Sequence, residues 1–330
     1  EIADGDWSSD VCSSDLRGLP IEKIGLYIPG GTAPLFSTVL MLAIPAKIAG
    51  CREIILCTPP GTDGKVNPAI LYAANLAGVD QIFKVGGAQA IAAMAYGTET
   101  IPAVYKILGP GNQYVTAAKQ LVSRENVAID MPAGPSEVAV VADSTSDPEF
   151  IASDLLSQAE HGADSQVLLV TTSEEKIRQV QTALDHLLAD LSRKEFALKS
   201  LENSKAILCP DDDTMMDLLN EYAPEHLVIS TANADELALK VENAGSVFIG
   251  EYTPESAGDY ASGTNHTLPT NGYAKMYSGV NLDTYYKKIT FQKLSREGLQ
   301  RIAPAIELMA ETEELTAHKL AVSLRLRKKT

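Results

Sequence analysis

From Ile21 onward, short apolar runs alternate with segments of helical pattern, and a parallel sheet covered by helices is the architecture that accepts this rhythm. Strands are expected at 25–28, 53–57, 81–85 and 105–108, with helices at 39–49, 68–77 and from Gly86-Gly87 to Ala95. A second alternation begins at 127–130. Its strands are expected at 138–142, 167–170, 205–208, 227–230 and 246–250, and its helices at 149–161, 173–191, 213–222 and 234–243. The pattern gives two adjacent α/β units, and a chain of 330 residues is long enough for both.

Three glycine-rich turns follow strands of the first unit: Pro29-Gly30-Gly31, Gly86-Gly87 and Gly109-Pro110-Gly111-Asn112. Where a strand ends in glycines and a helix begins, free backbone N–H groups and the helix dipole favour an anion such as a pyrophosphate. None of the turns carries GxGxxG, so plain tight connections remain an alternative to a nucleotide-binding edge.

The second unit's opening helix is signalled by Ser146 or Asp147 as N-cap, Pro148 in the first turn and Gly162 at the end. Within it Gln158 and His161 stand three apart and project within about 60° of each other, at the edge of the apolar stripe. Such a pair can hold a metal, or it can serve as hydrogen-bonded structural residues. Glu225-His226 after Pro224 likewise reads either as an acid and base or as a turn with a capping carboxylate. The pair precedes its strand, whereas α/β sites usually lie beyond the strands' carboxyl ends. His186, in a charged helix, fits a solvated face.

After Ile249 long aliphatics thin out, and residues 251–285 form a stretch rich in Gly, Thr, Ser, Asn and Tyr, of a length that is uncommon without a function. Two helices are expected from 295 to 324, then a tail of solvated charge at 325–329. Residues 1–18, with Asp6-Trp7-Ser8-Ser9-Asp10-Val11-Cys12-Ser13-Ser14-Asp15-Leu16, have no period and resemble a translated sequencing adapter. They are set aside as an artefact, so the native N-terminal segment is expected to be missing and the chain to be less soluble than a relative that keeps it.

The formal net charge of −16 disfavours nucleic acid and anionic membranes as partners and leaves small molecules. No apolar run reaches the ~18 residues of a membrane span, and no signal peptide is visible, so a cytoplasmic location is expected. Cys12, Cys51, Cys57 and Cys209 have neither disulfide nor thiolate-zinc spacing.

Seven motifs stand in the order found in histidinol dehydrogenase: Leu26 to Gly31, Val85-Gly86-Gly87-Ala88-Gln89-Ala90, Gly109-Pro110-Gly111-Asn112, Ala133-Gly134-Pro135-Ser136-Glu137, Ser157 to Gly162, Ala223-Pro224-Glu225-His226-Leu227, and Gly263-Thr264-Asn265-His266-Thr267-Leu268-Pro269. The chain thus resembles that family from about residue 19 to its end. The resemblance implies two Rossmann-like parallel-sheet domains on an aldehyde-dehydrogenase-like plan, plus a helical C-terminal segment. Residues 19–132 would be a nucleotide-binding domain, 133–285 a metal- and substrate-binding domain, and 286–330 a dimerisation segment.

The resemblance also implies a zinc enzyme of histidine biosynthesis that oxidises L-histidinol to L-histidine through the aldehyde, with two NAD per turnover and one Zn2+ per subunit. Gln158, His161, Asp259 and His318 would hold the zinc, a nitrogen and oxygen set that suits a site kept open for substrate. His226 would be the base of the oxidation steps, and Glu225 would activate water. Ser136, Gln158, His161, His226, Asp259, Glu313 and His318 would contact substrate, and Tyr27, Gln89 and Asn112 the NAD. Glu313 and His318 would act across a homodimer interface, in the partner's site. His266 lies in a family motif without an assigned step.

Two other readings stand beside this one. An aldehyde-dehydrogenase-like enzyme would need one of the cysteines as nucleophile in the cleft. A damaged gene would leave a non-catalytic zinc- or nucleotide-binding remnant.

Overall fold

The computed structural model describes residues 12–30, 34–132 and 134–327. The first eleven residues of the segment set aside as an artefact, Gly31, Ala133 and the last residues of the charged tail lie outside the described residues. Two compact units emerge: Ile21–Tyr285, and the residues up to Pro20 together with those from Tyr286 onward. The chain's first described strand, β1 (Cys12–Pro20), therefore belongs to the smaller unit.

The larger unit contains both sheets foreshadowed by the alternation. In the first, β2 (Lys23–Tyr27), β3 (Glu53–Cys57), β4 (Gln81–Phe83), β5 (Lys106–Leu108) and β6 (Ala128–Ile129) are all parallel, in the order β4-β3-β2-β5-β6. The order reverses between β2 and β5, the kind of switch point beyond whose carboxyl ends α/β proteins open a crevice. Helices α1 (Phe36–Ala49), α2 (Pro68–Ala77), α3 (Gly87–Tyr96) and α4 (Gln113–Val122) connect the strands. The run at 127–130 does not open the second alternation; Ala128 and Ile129 pair with Lys106 and Ile107 and close the first sheet's edge.

The second sheet repeats the plan. Strands β7 (Glu137–Ala142), β8 (Gln166–Thr171), β9 (Lys205–Leu208), β10 (His226–Ser230) and β11 (Ser246–Ile249) are parallel, in the order β11-β10-β7-β8-β9. All six residues of β7 and all five of β10 are buried, which explains the apolar runs Val138–Ala142 and Leu227–Ile229. Each fully buried Val, Leu or Ile contributes about 1.5–3 kcal/mol relative to exposure. Helix α5 (Pro148–Ala159) is capped by Asp147, whose carboxylate accepts the N–H of Glu149 at 2.8 Å, and it lays Ile151, Ala152, Leu155, Leu156 and Ala159 against this sheet.

The helix expected at 173–191 ends early as α6 (Glu174–Leu187), and a helix not expected from the sequence, α7 (Lys194–Glu202), follows it. The break frees Arg193, which donates to the carbonyls of Glu160 at 2.8 Å and His161 at 3.2 Å and so satisfies the end of α5. After α8 (Asp212–Tyr222), the helix expected at 234–243 stops early as α9 (Ala234–Ala238), because Asn220 takes the N–H groups of Glu242 and Asn243. The polar stretch after β11 contains the short helix α10 (Glu255–Tyr260).

In the smaller unit β1 pairs antiparallel with β12 (Tyr286–Leu294), from Cys12 opposite Leu294 to Pro20 opposite Tyr286. Two helices follow, α11 (Arg296–Thr312) and α12 (Thr316–Arg327), packed on each other and tied by Ser323 and Glu307.

Candidate functional site

The polar residues converge at the amino ends of β7 and β10, neighbours in the second sheet with Val138 opposite His226. Glu225 and His226 lie where β10 begins, Glu137 begins β7, Gln158 comes from the last turn of α5, and Glu255 and Asp259 from α10. Gln158, Glu255, His226, Glu225 and Glu137 are 0, 1, 3, 6 and 8% exposed, a density of buried polar groups that a core tolerates only with partners.

Backbone geometry fixes the His226 ring. Its Nδ1 lies 3.1 Å from the carbonyl oxygen of Glu137, which can only accept, so Nδ1 carries the proton and Nε2 keeps its lone pair. Nε2 is buried without a hydrogen-bond partner among the described residues and lies 4.0 Å from the carboxylate of Asp259. Burial lowers the imidazole's pKa, so the ring is held neutral.

The carboxylates crowd around that ring. Glu225 accepts the N–H of Glu137 at 2.9 Å and lies 3.7 Å from His226 Nδ1. Glu255 is also 3.7 Å from Nδ1, and with its amide turned to suit both neighbours Gln158 donates to Glu255 and accepts the Glu137 N–H at 3.2 Å. Desolvation raises all of these acids: Glu225 and Glu255 well above the usual carboxylate range, Glu137 to about 7, and Asp154 beside Glu255 to about 6. Asp154 holds the start of α10 by accepting the Glu255 N–H.

Such a set lacks a positive charge. Donor atoms of His226, Glu255 and Asp259 lie within 4.8 Å of one another, and His161 and His226 both feel the charge of Asp259. Gln158 and His161, paired by spacing in the sequence, therefore face the same acid-lined recess as Asp259. An oxygen- and nitrogen-rich, thiolate-free set with an unpartnered imidazole nitrogen fits a divalent cation such as zinc.

His266 has a definite place: its Nδ1 is 3.2 Å from the Asp259 carbonyl and its Nε2 3.2 Å from the Thr38 hydroxyl, so it ties α10 to α1 of the first sheet. Ser136 immediately precedes β7. Glu313 ends α11, and His318 lies in the first turn of α12; both are exposed and belong to the smaller unit.

Sequence reasoning missed Glu255, Glu137 and Asp154. For Glu255 a signal existed, because Glu255 and Asp259 stand four apart after Pro254 and so share a face of one helical turn. Nothing local marks Glu137, whose role comes from the register of β7 beside β10.

At the first sheet's carboxyl ends, Tyr27 is 4% exposed and its hydroxyl accepts the Gly87 N–H at 3.0 Å, so it braces the Gly86-Gly87 turn from beneath. Gln89 is exposed in the first turn of α3. Asn112 caps α4 by accepting the N–H groups of Tyr114 and Val115, each at 3.1 Å. At the Pro29-Gly30 turn lies a cavity of about 560 Å³ bounded by Pro29, Gly30, Thr58, Pro59, Lys65 and Asn67.

The thiols do not fit a nucleophile. Burial pushes Cys57 up to about 12 and Cys51 to about 11, and raises Cys209, which leaves each a small core hydrophobe. Among the described residues no helix is long and apolar enough to cross a membrane.

Residues 8–326 match the family model described as histidinol dehydrogenase. The histidinol dehydrogenase of Bacteroides thetaiotaomicron is 67% identical over 310 residues, 94% of this chain and 72% of that protein. A crystal structure of histidinol dehydrogenase from Elizabethkingia anophelis superposes with a TM-score of 0.95 at 58% identity, covering 97% of this chain and 74% of that one. A propionaldehyde dehydrogenase from Clostridium phytofermentans, 13% identical with a TM-score of 0.54 over 86% of this chain and 78% of that one, shares the fold.

Proposed function

The chain belongs to the histidinol dehydrogenase family of oxidoreductases, and from that premise we propose that it oxidises L-histidinol to L-histidine through histidinaldehyde, the last steps of histidine biosynthesis. Two NAD are reduced per turnover, with one zinc ion per subunit. The observation that carries this reading is the His226 ring: buried, neutral, its tautomer set by Glu137, with Nε2 open beside Asp259 and Glu225 next to Nδ1.

Gln158, His161, Asp259 and His318 hold the zinc in this reading. When bound, the ion supplies positive charge against the buried acids and open positions for the imidazole and amine of the substrate. Glu313 pairs with the substrate amine, and Ser136 lines the site. His318 and Glu313 act in the site of the other subunit of a homodimer.

In the first oxidation His226 Nε2 would take the hydroxyl proton while the carbinol hydrogen leaves with its bonding electron pair to NAD, giving aldehyde and NADH; His226 then releases its proton to solvent before the second oxidation. In the second, water adds to the aldehyde while Glu225 accepts a proton from it. His226 takes a further proton as the hydrate loses two electrons to the second NAD, giving the carboxylate. Burial supports both roles, since it keeps the imidazole neutral and makes the Glu225 carboxylate strongly basic.

NAD supplies the two-electron acceptor, and its pyrophosphate would meet the N-termini of α3 and α4, with Tyr27, Gln89 and Asn112 at the turns. The 560 Å³ cavity at the Pro29-Gly30 turn, at the carboxyl ends of the same sheet, has the size of an ordinary ligand site. The domains follow: 19–132 for nucleotide, 133–285 for metal and substrate, 286–330 for dimerisation, in a cytoplasmic enzyme. Incubation with histidinol and NAD tests the reading by chromatography: histidine should accumulate, and its absence from an NAD-reducing reaction would reject the substrate.

A further inference from the structure

Lys119 and Asp130 form an ion pair with side chains only 4% and 1% exposed, beside the first sheet and not the one that carries the acid cluster. Replacing a buried pair by apolar residues of the same shape is often neutral or stabilising, so stability alone is a weak reason for it. Its contacts give a more specific one. Asp130 follows β6 and its Oδ2 accepts the N–H of Gly109 at 2.7 Å, while Lys119 on α4 donates to the carbonyl of Gly109 at 2.9 Å. Both peptide groups of one glycine are therefore held, one by each partner. The second Asp130 oxygen accepts the N–H of Met131 at 2.7 Å and meets the ammonium. Lys106, the other cation that feels Asp130, donates to the carbonyl of Thr284 at 2.7 Å.

Gly109 needs an outside grip. Its φ of +126° is open to glycine alone, and a Cβ there would lie 2.0 Å from the carbonyl oxygen of Tyr27. The residue thus has no side chain with which to anchor itself, yet it begins the turn that ends in Asn112, the cap of α4. We propose that Lys119 and Asp130 are positioning residues for the dinucleotide: they clamp Gly109 so that Asn112 and the N-terminal N–H groups of α4 are presented to its phosphates. This rests on the nucleotide-binding role given to the turns above. Because Gly109 abuts Tyr27, and Tyr27 accepts from Gly87, the same clamp steadies the neighbouring turn.

The test uses zinc-loaded full-length chain with Lys119→Met, Asp130→Asn, the double change Lys119→Met with Asp130→Leu, and Asn112→Ala as a reference. The double change leaves no unpaired charge and so keeps the fold testable. NAD affinity is read by calorimetry, together with the KM for NAD, kcat at saturating NAD, histidinol affinity and Tm. The clamp predicts NAD affinity and KM weakened by about tenfold or more in all three, with kcat and histidinol affinity within about twofold of the parent. The double change should cost no more than either single one. A folded double variant with parental NAD affinity overturns the proposal, as does a parallel loss of kcat, histidinol affinity and Tm, which would mark a merely structural pair. If Asn112→Ala also binds NAD like the parent, the turns are not the nucleotide edge and the underlying reading falls with it. Weakening in Asn112→Ala alone removes only the clamp.

Discussion

The Nδ1 of His226 stands 3.1 Å from the main-chain carbonyl of Glu137, so a backbone group on one strand chooses the tautomer of a side chain on the next. The same residue's N–H holds Glu225 at 2.9 Å. Acid and base are thus set by adjacent peptide groups whose positions follow from the parallel pairing of β7 with β10, and neither depends on a flexible loop.

Replacing the imidazole should remove proton transfer and leave cofactor binding. His226→Asn is expected to lower kcat by about 10²–10⁴-fold with histidinol and with histidinaldehyde, at little change in the KM for NAD. Steady-state kinetics on both substrates checks this, and parental kcat with either would exclude His226 as base.

Glu225→Gln should separate the two oxidations. The amide keeps an oxygen for the Glu137 N–H but cannot take a proton from water, so aldehyde oxidation should slow by about 10²-fold or more while alcohol oxidation changes little. Stopped-flow traces resolve the two steps. Equal slowing of both would assign Glu225 a structural part.

The raised acids give the metal-free protein a pH signature. Glu137 at about 7 and Asp154 at about 6 bind protons more tightly folded than unfolded, so their stabilising contribution is complete below the ordinary carboxylate range and is lost as pH rises through 6 to 7. Buried neutral histidine acts in the opposite sense only below about 6.5. Glu225 and Glu255, which burial raises well above the usual range, carry the loss past the point where Glu137 is spent, so metal-free Tm should fall between pH 6.5 and 8.5, and zinc should reduce that slope. A metal-free Tm that climbs over this interval would contradict the charge account of the recess.

Sharing of the site between subunits predicts complementation. His226→Asn and His318→Asn should each be inactive alone. After subunit exchange, the mixed dimer regains one intact site, and activity should approach about a quarter of the parent's in an equal mixture. Exchange verified by mass spectrometry without any recovery would place His318 outside the partner's site.

Much of this was legible in the chain. The apolar runs of β7 and β10 announce buried parallel strands, and the three-residue spacing of Gln158 and His161 places both toward one recess. Tertiary register supplied what was not. Ala128 and Ile129 look like the start of a new alternation until β5 claims them, and beyond the end of α6 at Leu187 Arg193 finds its partner at the end of α5, distant in sequence. The spacing of Glu255 and Asp259 puts them on one face of a helical turn, but only the fold buries Glu255 beside His226. His266 gains a partner 228 positions away, in Thr38, which no local pattern encodes.

The recess around His226 is expected to run a four-electron oxidation that needs a divalent cation. Counting NADH formed per histidinol consumed, before chelation, after it, and after zinc is returned, tests this most directly. The account predicts two, then none, then two again; turnover that survives complete metal removal, or a count that stays at one, would contradict it.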